Sequence, residues 1–236
     1  MPDPTIKLVI PARNEEGAIG KVVSSVVNQV DGVVVADNGS TDATAEIARD
    51  AGAHVVYVQE PGYGRACLAA IDAAGEFDIL VFMDGDASDD PDDLSKVLAP
   101  ILADEADMVI GSRILGDCDP GALTVPQRFG NTLACWLMNL FWGFRFTDLG
   151  PFRAIRKESY DKLKMKAPTF GWTVEMQVRA LKQGLKCAEV PVHYRARIGV
   201  SKISGTLKGV VLAGYYILGT IFWEAALGIW AKLKKA

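Results

Sequence analysis

The chain has 236 residues, of which 50% are hydrophobic and 23% charged, so it can bury a core and is too apolar to be disordered. Its net charge of −4 at pH 7 argues against nucleic acid as the main partner, because phosphate-tracking proteins normally carry a basic excess. The four cysteines form neither a metal-ligand spacing nor a short disulfide framework, so we expect reduced thiols in a cytosolic protein. The polar first residues do not predict a secretory signal.

Apolar runs alternate with amphipathic segments in the first half of the chain. We predict strands over residues 6–10, 33–36, 54–58, 79–83 and 108–110. We predict helices over residues 15–27, 41–51, 65–74 and 91–102. This alternation predicts an α/β fold with a mostly parallel, Rossmann-like sheet and helices on both faces.

The second half is less regular. It predicts an aromatic-rich apolar helix over residues 133–144, a short helix over 174–181 and a strand over 187–194. A hydrophobic segment follows at 209–230. In parallel sheets, ligands bind beyond the carboxyl ends of the strands. Three polar segments fall there, at residues 12–16, 37–42 and 84–86, and they predict a site.

Asp84-Gly85-Asp86 directly follows an apolar strand. Mg²⁺ and Mn²⁺ take oxygen ligands, often one or two carboxylates together with substrate phosphates. Acidic residues also favour helix N-termini, which accounts for the carboxylates at residues 89–93 but not for Asp84 and Asp86. We therefore predict a divalent metal on these two side chains.

Asp37 ends the second predicted strand, where an acidic side chain can hydrogen-bond a base or ribose. The following Ser40, Thr41 or Asp42 can cap the next helix, and we favour the Ser–Thr pair for this role. Both functions are compatible. Residues 11–16 either contact a nucleotide or form a turn and a charged first helical turn.

Several basic residues lie in loop-like stretches of the sequence. A diphosphate leaving group and an anionic acceptor both need such cations. Each side chain alone is more typical of a solvated surface, and the set gains weight beside an acidic metal site. They are Arg113, Arg128, Arg195, Arg197 and Lys202.

Together these segments resemble glycosyltransferase family 2, whose members have the GT-A fold. The resemblance runs from about residue 6 to residue 202 and keeps the family's order of motifs. It is carried by IPARNEE (10–16), ADNGSTDAT (36–44), GYGRACLAAI (62–71), FMDGDASDDP (82–91), GSR (111–113), QRFGN (127–131), TDLGPFRAI (147–155) and RIGVSK (197–202).

Within that family the chain most resembles the dolichol-phosphate mannose synthase group, which moves a sugar from a UDP- or GDP-sugar to a polyprenyl phosphate. The resemblance implies a donor pocket made by Pro11, Arg13, Glu15, Asp37, Asp84, Gly85 and Asp86, with the metal on Asp84 and Asp86. It implies phosphate or acceptor contacts from Arg113, Arg128, Arg153, Arg197 and Lys202. It implies a reaction centre that includes Asp86, Arg113, Asp148 and Glu175.

Two departures from the group's pattern leave the sugar and the acceptor open. Ser88 replaces the usual Gln two residues after the second aspartate, and Gly150-Pro151-Phe152-Arg153 replaces the usual Ser-Gly-Phe-Arg. The resemblance implies an inverting single displacement. A lipid phosphate acceptor needs no strong base, whereas a sugar hydroxyl needs one, and Asp148 or Glu175 must then serve.

The C-terminal segment raises the question of a membrane. We divide the chain into a GT-A domain over residues 1–206, with halves at 1–113 and 114–206, and a hydrophobic helix over 207–236. The apolar run ends at Glu224, short of the roughly 20 residues of a spanning helix, and its aromatic and lysine content fits a helix at a membrane interface. We expect a peripheral protein at the cytoplasmic face of a membrane. Core packing or a homo-oligomer interface is the alternative.

Three other functions remain open at this point. A family 2 enzyme can act on a sugar hydroxyl of a glycan or glycolipid. A sugar-nucleotide pyrophosphorylase has a related fold, but its Gly-rich loop after the first strand is missing here, where no glycine precedes Gly17 in that loop. A non-catalytic binding protein is the third alternative, and the intact set of acidic and basic motif residues argues against it.

Overall fold

Seven strands form one sheet in the computed structural model, which describes residues 3–199 and 207–233. The strands are β1 (Ile6–Ala12), β2 (Gly32–Asp37), β3 (His54–Tyr57), β4 (Ile79–Phe82), β5 (Met108–Ser112), β6 (Arg153–Arg156) and β7 (Cys187–Pro191). Their order across the sheet is β3-β2-β1-β4-β6-β5-β7. β6 is antiparallel to both of its neighbours, and every other pairing is parallel, which confirms the predicted mostly parallel sheet.

Helices cover both faces of this sheet. They are α1 (Ile19–Val26), α2 (Thr44–Asp50), α3 (Tyr63–Ala73), α4 (Leu94–Leu102), α5 (Val125–Trp142), α6 (Lys157–Leu163), α7 (Trp172–Lys182) and α8 (Leu207–Leu233). Side chains alternate along β1, so that Leu8 and Ile10 join a core with α1, α2 and α4, while Val9 joins a core with α3, α5, α7 and α8. The sheet is therefore buried on both sides, as its continuous apolar strands predict.

Two elements of the second half were not predicted, and one was predicted too short. β6 and α6 carry no continuous apolar run, and β6 begins and ends with arginine. α5 begins at Val125, eight residues before the predicted start. Thr124 caps it, because the Thr124 and Gln127 side chains each accept a hydrogen bond from the other residue's backbone amide. Gly143, with φ of 75°, ends it.

α8 continues through Glu224, where the hydrophobic segment was expected to be interrupted. Val211–Gly228 has the length and hydropathy of a membrane-spanning helix, and 11% of it is buried within the described protein. Ile221 is fully buried in the core beside α5 and α7. Glu224 is buried as well, and its carboxylate oxygens lie 3.2 Å from Arg179 Nε and 2.6 Å from Lys182 Nζ of α7. The ion pairs of Glu224 therefore attach α8 to α7.

We predict that Glu224→Ala lowers the free energy of unfolding by about 1–3 kcal/mol, because it removes one ion pair each from the partly buried Lys182 and Arg179, of which Arg179 keeps its pair with Glu175. Urea unfolding followed by circular dichroism measures the change. The matched control is Asp161→Ala, which removes an exposed pair with Lys157 and should cost less than about 1 kcal/mol. Equal losses in the two variants would contradict a fastening role for Glu224.

Candidate active site

The carboxyl edge of the sheet brings the polar segments together. β1 and β2 are in register at Ala12 and Asp37, so the loops after these strands leave the sheet side by side. β4 lies on the other side of β1 and leads into Asp84. Arg113 directly follows β5 at the same edge.

Hydrogen bonds join the loops after β1 and β2. The Asn14 amide donates to Ser40 Oγ at 2.9 Å, and Asn14 Oδ1 accepts from the Thr41 amide at 2.8 Å. Asp37 is buried, and its Oδ1 accepts from the Ser40 amide at 3.0 Å. The predicted capping of α2 by Ser40 and Thr41 is wrong, because these side chains bind the β1 loop and Asp42 accepts instead from the Thr44 amide at 3.0 Å.

The loop after β4 holds its carboxylates in fixed positions. Asp86 Oδ1 accepts hydrogen bonds from the amide of Ser88 at 3.0 Å and from its hydroxyl at 2.5 Å. Ala87 has φ of 63°, a left-handed conformation that costs a non-glycine residue roughly 1–2 kcal/mol. Strain of this kind persists where the surroundings over-determine the backbone, and here it places Asp86 and Ser88 together. A Cβ on Gly85 would lie 3.3 Å from side-chain atoms of β1 and α1, so little room remains for another residue.

Negative charge accumulates in this loop. Burial raises the pKa of Asp84 well above its usual value, and the neighbouring Asp86 and Asp89 carboxylates raise it further. Burial likewise raises the pKa of Asp89 to about 7, with the charge of Asp86 adding to the shift. Asp89 Oδ2 accepts from the Asp84 amide at 2.9 Å, while its buried Oδ1 has no hydrogen-bond partner within residues 3–199 and 207–233.

These features fit a divalent cation. The carboxylate oxygens of Asp84 and Asp86 are the ligands that Mg²⁺ and Mn²⁺ prefer. Burial raises the pKa of Asp84 most, and a cation would relieve the further rise that the Asp86 and Asp89 carboxylates cause. No group of three or more histidine, cysteine or acidic side chains in the described part of the chain could hold a metal ion alone. A site of two carboxylates is completed by substrate phosphates.

Arg113 enters the site from β5 and is held by Asp148. The Arg113 Nε and Nη2 atoms each donate to a different oxygen of Asp148 at 2.7 Å, and the Arg113 amide donates at 2.8 Å. Asp148 is fully buried, while 13% of the Arg113 side chain is exposed. The guanidinium also lies 4.9 Å from the ring centroid of Tyr194. Asp148 therefore orients Arg113, and both of its oxygens are engaged.

The segment after β7 returns to the loop after β4, residues 83–90, which we call the acidic loop. The amides of Arg195 and Ile198 donate to the carbonyl oxygens of Ser88 and Asp86 at 2.8 and 2.9 Å. Between them, Arg197 places Nη1 at 3.1 Å from Asp86 Oδ2 and Nη2 at 3.1 Å from Glu15 Oε1. Arg197 thus connects the loops after β1 and β4.

A cleft of about 470 Å³ opens between these charged groups and helices α5, α7 and α8. Its two ends differ in chemistry. The polar end is formed by Asp84, Asp86, Arg113, Arg197, Tyr63 and Tyr194. The apolar walls include Leu123, Phe129, Leu133, Leu149, Phe170, Ile217 and Leu218.

The structure does not bring every predicted site residue into this cleft. Arg153 is fully buried, and its guanidinium donates to the carbonyl oxygens of Leu149, Gly150 and Thr173. Burial lowers the pKa of Arg153 to about 10. Its contacts are those of a residue that shapes the turn before β6 rather than of a phosphate ligand.

Glu175 also lies away from the cleft. It accepts hydrogen bonds from the amides of Lys166 and Ala167 and pairs with Arg179 at 2.8 Å. These contacts engage the carboxylate that was predicted as a possible base.

The remaining predicted residues lie around the rim or beyond the described chain. Arg128 is exposed on α5, where its Nε donates to the Leu123 carbonyl oxygen at 3.4 Å. Arg13 is exposed in the loop after β1, and Pro11 lies within β1. Lys202 lies outside the described residues. The roles assigned to these side chains stay predictions.

Several residues of the site were not identified from the sequence. Tyr63 donates its hydroxyl to Asp84 Oδ1 at 3.3 Å. A Cβ on the adjacent Gly64 would overlap the Ala167 carbonyl oxygen, so this glycine lets α3 begin close to the cleft. The sequence signal that could have identified Tyr63 is its position between two glycines, Gly62 and Gly64. Ser88, noted only as a departure from the family's pattern, fixes Asp86.

We predict that Asp148→Asn and Arg113→Ala each lower kcat/KM about 10²-fold or more, because Asp148 acts by orienting Arg113. The double variant should lose little more than either single variant, since the two side chains act as a unit. A double-mutant cycle on kcat/KM measures the coupling. Multiplicative losses would show that Asp148 acts independently of Arg113, as a base would.

Comparisons with known proteins agree with this geometry. The sequence model described as Glycosyl transferase family 2 matches residues 7–171. The chain is 36% identical over 200 residues to the glycosyltransferase AglJ of Haloferax volcanii, covering 84% of this chain. It is 34% identical over 212 residues to the dolichyl-phosphate hexose transferase of the same organism, covering 88% of this chain and 90% of that protein.

The chain spans 65% of the length of AglJ and 50% of that of a second relative, the low-salt glycan biosynthesis hexosyltransferase Agl6. Among solved structures, glucosyl-3-phosphoglycerate synthase from Mycobacterium tuberculosis superposes with a TM-score of 0.75. That structure, a complex with Mn²⁺ and UDP-glucose, is 24% identical, and the match covers 94% of this chain and 80% of that one. It therefore shows the fold alone. Because the family model matches most of its length, the chain belongs to glycosyltransferase family 2.

Proposed function

We propose that this chain transfers a sugar, with inversion, from a UDP- or GDP-sugar to the phosphate of a polyprenyl phosphate. The observation that carries the proposal is the cleft with its charged end and its apolar walls. A polyprenyl phosphate has the same two parts, an anionic head and a hydrocarbon tail. The dolichyl-phosphate acceptor in the name of the hexose transferase relative supports this choice.

The donor is assigned to the edge formed by the loops after β1, β2 and β4. Asp37 would contact the nucleoside, with Pro11, Arg13 and Glu15 beside it. Asp84 and Asp86 would hold Mg²⁺ or Mn²⁺, which neutralises charge on the nucleoside diphosphate as it leaves. Arg113, already oriented by Asp148, adds a fixed positive charge to the same end of the cleft.

The acceptor chemistry agrees with the contacts of Asp148 and Glu175, the two carboxylates that were predicted as possible bases. A phosphate monoester has a second pKa of about 6 and is largely dianionic at neutral pH, so it attacks without proton removal. A sugar hydroxyl would need a general base. Asp148 has both oxygens on Arg113, and Glu175 binds the backbone of residues 166 and 167, so neither favours the hydroxyl acceptor. Arg128 and Lys202 are proposed to bind the acceptor phosphate.

The test compares a panel of UDP- and GDP-sugars, with polyprenyl phosphate or a soluble glycan as acceptor and with Mn²⁺, Mg²⁺ or a chelator. We expect metal-dependent transfer to the polyprenyl phosphate. Turnover only on a sugar hydroxyl, or full activity in excess chelator, would contradict the proposal.

We predict that Ile217→Asn raises the KM for polyprenyl phosphate about tenfold, because it places an amide in the apolar wall of the cleft. Donor hydrolysis without acceptor should change less than about twofold, since it does not use that wall. Steady-state kinetics of both reactions measure the split. Leu102→Asn is the control, because Leu102 is 53% exposed at the end of α4, on the opposite face of the sheet. Equal effects of Ile217→Asn on the two reactions would show that this apolar wall does not bind the acceptor.

We further propose that α5 and α8 present one surface to a membrane at its cytoplasmic face. Large apolar side chains are exposed along both helices, and the rings of Phe141 and Phe222 lie 6.0 Å apart where the helices meet. The exposed set is Val125, Phe129, Trp136, Leu140, Phe141, Val211, Leu212, Tyr215, Phe222, Trp223, Leu227 and Trp230. Aromatic side chains of this kind favour the interface between lipid headgroups and acyl chains.

We predict that the double variant Trp136→Glu, Trp223→Glu reduces sedimentation with phospholipid vesicles several-fold, because it places two charges on an otherwise apolar surface. Side-chain substitution is preferable to removing α8, because Ile221 belongs to the core and its loss would disturb folding. The control is Tyr57→Glu, at a 65% exposed residue of edge strand β3. Unchanged vesicle binding with a smaller particle in light scattering would instead identify the surface as a homo-oligomer interface.

A further inference from the structure

Arg197 pairs with the oxygen of Asp86 that Ser88 leaves available to a metal ion. Asp86 Oδ1 already accepts two hydrogen bonds from Ser88. The remaining oxygen, Oδ2, lies 3.1 Å from Arg197 Nη1. A guanidinium and a divalent cation at one carboxylate oxygen repel each other strongly at such short range.

The same guanidinium balances a second carboxylate. Arg197 Nη2 lies 3.1 Å from Glu15 Oε1, and the Glu15 and Asp86 side chains are 9% and 8% exposed. Arg197 itself is 28% exposed, so its side chain has a route toward the cleft. Its buried Nε has no hydrogen-bond partner among the residues that the structure describes. The two ion pairs therefore balance the charge of Arg197 but leave its Nε without a hydrogen bond among the described residues.

The backbone beside Arg197 is fixed independently of these ion pairs. The Arg195 and Ile198 amides bind carbonyl oxygens of the acidic loop, and the Ala196 amide donates to Asp119 Oδ2 at 2.9 Å. None of these bonds uses the carboxylates of Asp84 or Asp86. Rotation of the Arg197 side chain alone would uncover Asp86 Oδ2.

We propose that Arg197 is a displaceable counter-ion of the metal site. Its guanidinium neutralises Asp86 and Glu15, and it gives up Asp86 when a divalent cation binds. This inference rests on the proposed function, because it takes Asp84 and Asp86 as metal ligands. Its consequence is that the Arg197 guanidinium becomes available to a phosphate in the cleft only after the metal has bound.

The first experiment titrates the full chain with Mn²⁺ without nucleotide and follows free Mn²⁺ by electron paramagnetic resonance. We expect Arg197→Gln to bind Mn²⁺ about three- to tenfold more tightly than the wild type, because a competing cation is gone. Arg195→Gln is the matched control. It removes the same charge from the same segment, but Arg195 pairs with Asp90 at 2.6 Å rather than with a proposed ligand. Equal tightening in both variants would reduce the effect to net charge and overturn the proposal.

The second experiment uses the wild type, so it does not depend on the folding of a variant. Phenylglyoxal modifies accessible guanidinium groups, and mass spectrometry locates the products. Mn²⁺ should accelerate modification of Arg197 and leave Arg195 unchanged. An unchanged rate at Arg197 under saturating Mn²⁺ would overturn displacement.

Asp86→Ala separates this inference from the proposed function. Mn²⁺ binding should be lost in that variant. If the variant still binds Mn²⁺, Asp86 is not a metal ligand, and both the proposed metal site and the displacement are overturned. Binding that depends on Asp86 but is insensitive to Arg197→Gln would overturn the displacement alone.

Discussion

The negative charge in the loop after β4 is the constraint around which the site is arranged. Asp84, Asp86 and Asp89 lie within six residues and are largely enclosed by protein, so each carboxylate needs a donor or a cation nearby. Ser88 and the Asp84 amide supply donors from within the loop. Others come from distant parts of the chain: Tyr63 at the start of α3 and Arg197 in the segment after β7. Contacts with the acidic loop therefore hold residues from the first and last parts of the domain at one edge of the sheet.

The second half of the chain positions a matching positive charge, the guanidinium of Arg113. It does so through the turn at Asp148, which β7, α7 and α5 hold in place. Asp148 orients Arg113, and the turn that carries Asp148 is itself fixed from three sides. Glu189 of β7 accepts from the Asp148 amide at 3.1 Å, Gln177 of α7 donates to the Asp148 carbonyl oxygen at 3.0 Å, and Asn131 of α5 accepts from the Leu149 amide at 2.8 Å. The orientation of one arginine thus depends on residues up to 76 positions away from it in the sequence. Preorganised charge of this kind stabilises a developing anion without rearrangement during the reaction.

The sequence predicted the first half of the fold well, because each strand and helix there has a local apolar pattern, and parallel strands bring their carboxyl ends to one edge. Asp37, Asp84 and Asp86 were placed at that edge for this reason, whereas Arg113 was identified as a basic loop residue and through the family resemblance. β6 escaped prediction because it is a short strand that begins with an arginine, and a guanidinium is expected in water. The burial of Arg153 is possible only because the turn before β6 and α7 supply carbonyl oxygens, which no local pattern records. The partners of Glu175 escaped prediction for a similar reason, since its contacts with the backbone of residues 166 and 167 become visible only in three dimensions.

Hydropathy alone could not determine the position of the C-terminal helix either, because Glu224 looks like an interruption until its partners are known. Arg179 joins Glu224 to Glu175, and Glu175 holds the backbone at residues 166 and 167. That backbone packs against Gly64, next to Tyr63 and its bond to Asp84. Ile217 of α8, one wall of the cleft, and Asp84, its acidic end, are therefore positioned through the same helix, α7. The helix that resembles a separate membrane segment in the sequence is, in the structure, one wall of the cleft. The proposed apolar acceptor chain and charged donor would therefore meet in one cleft.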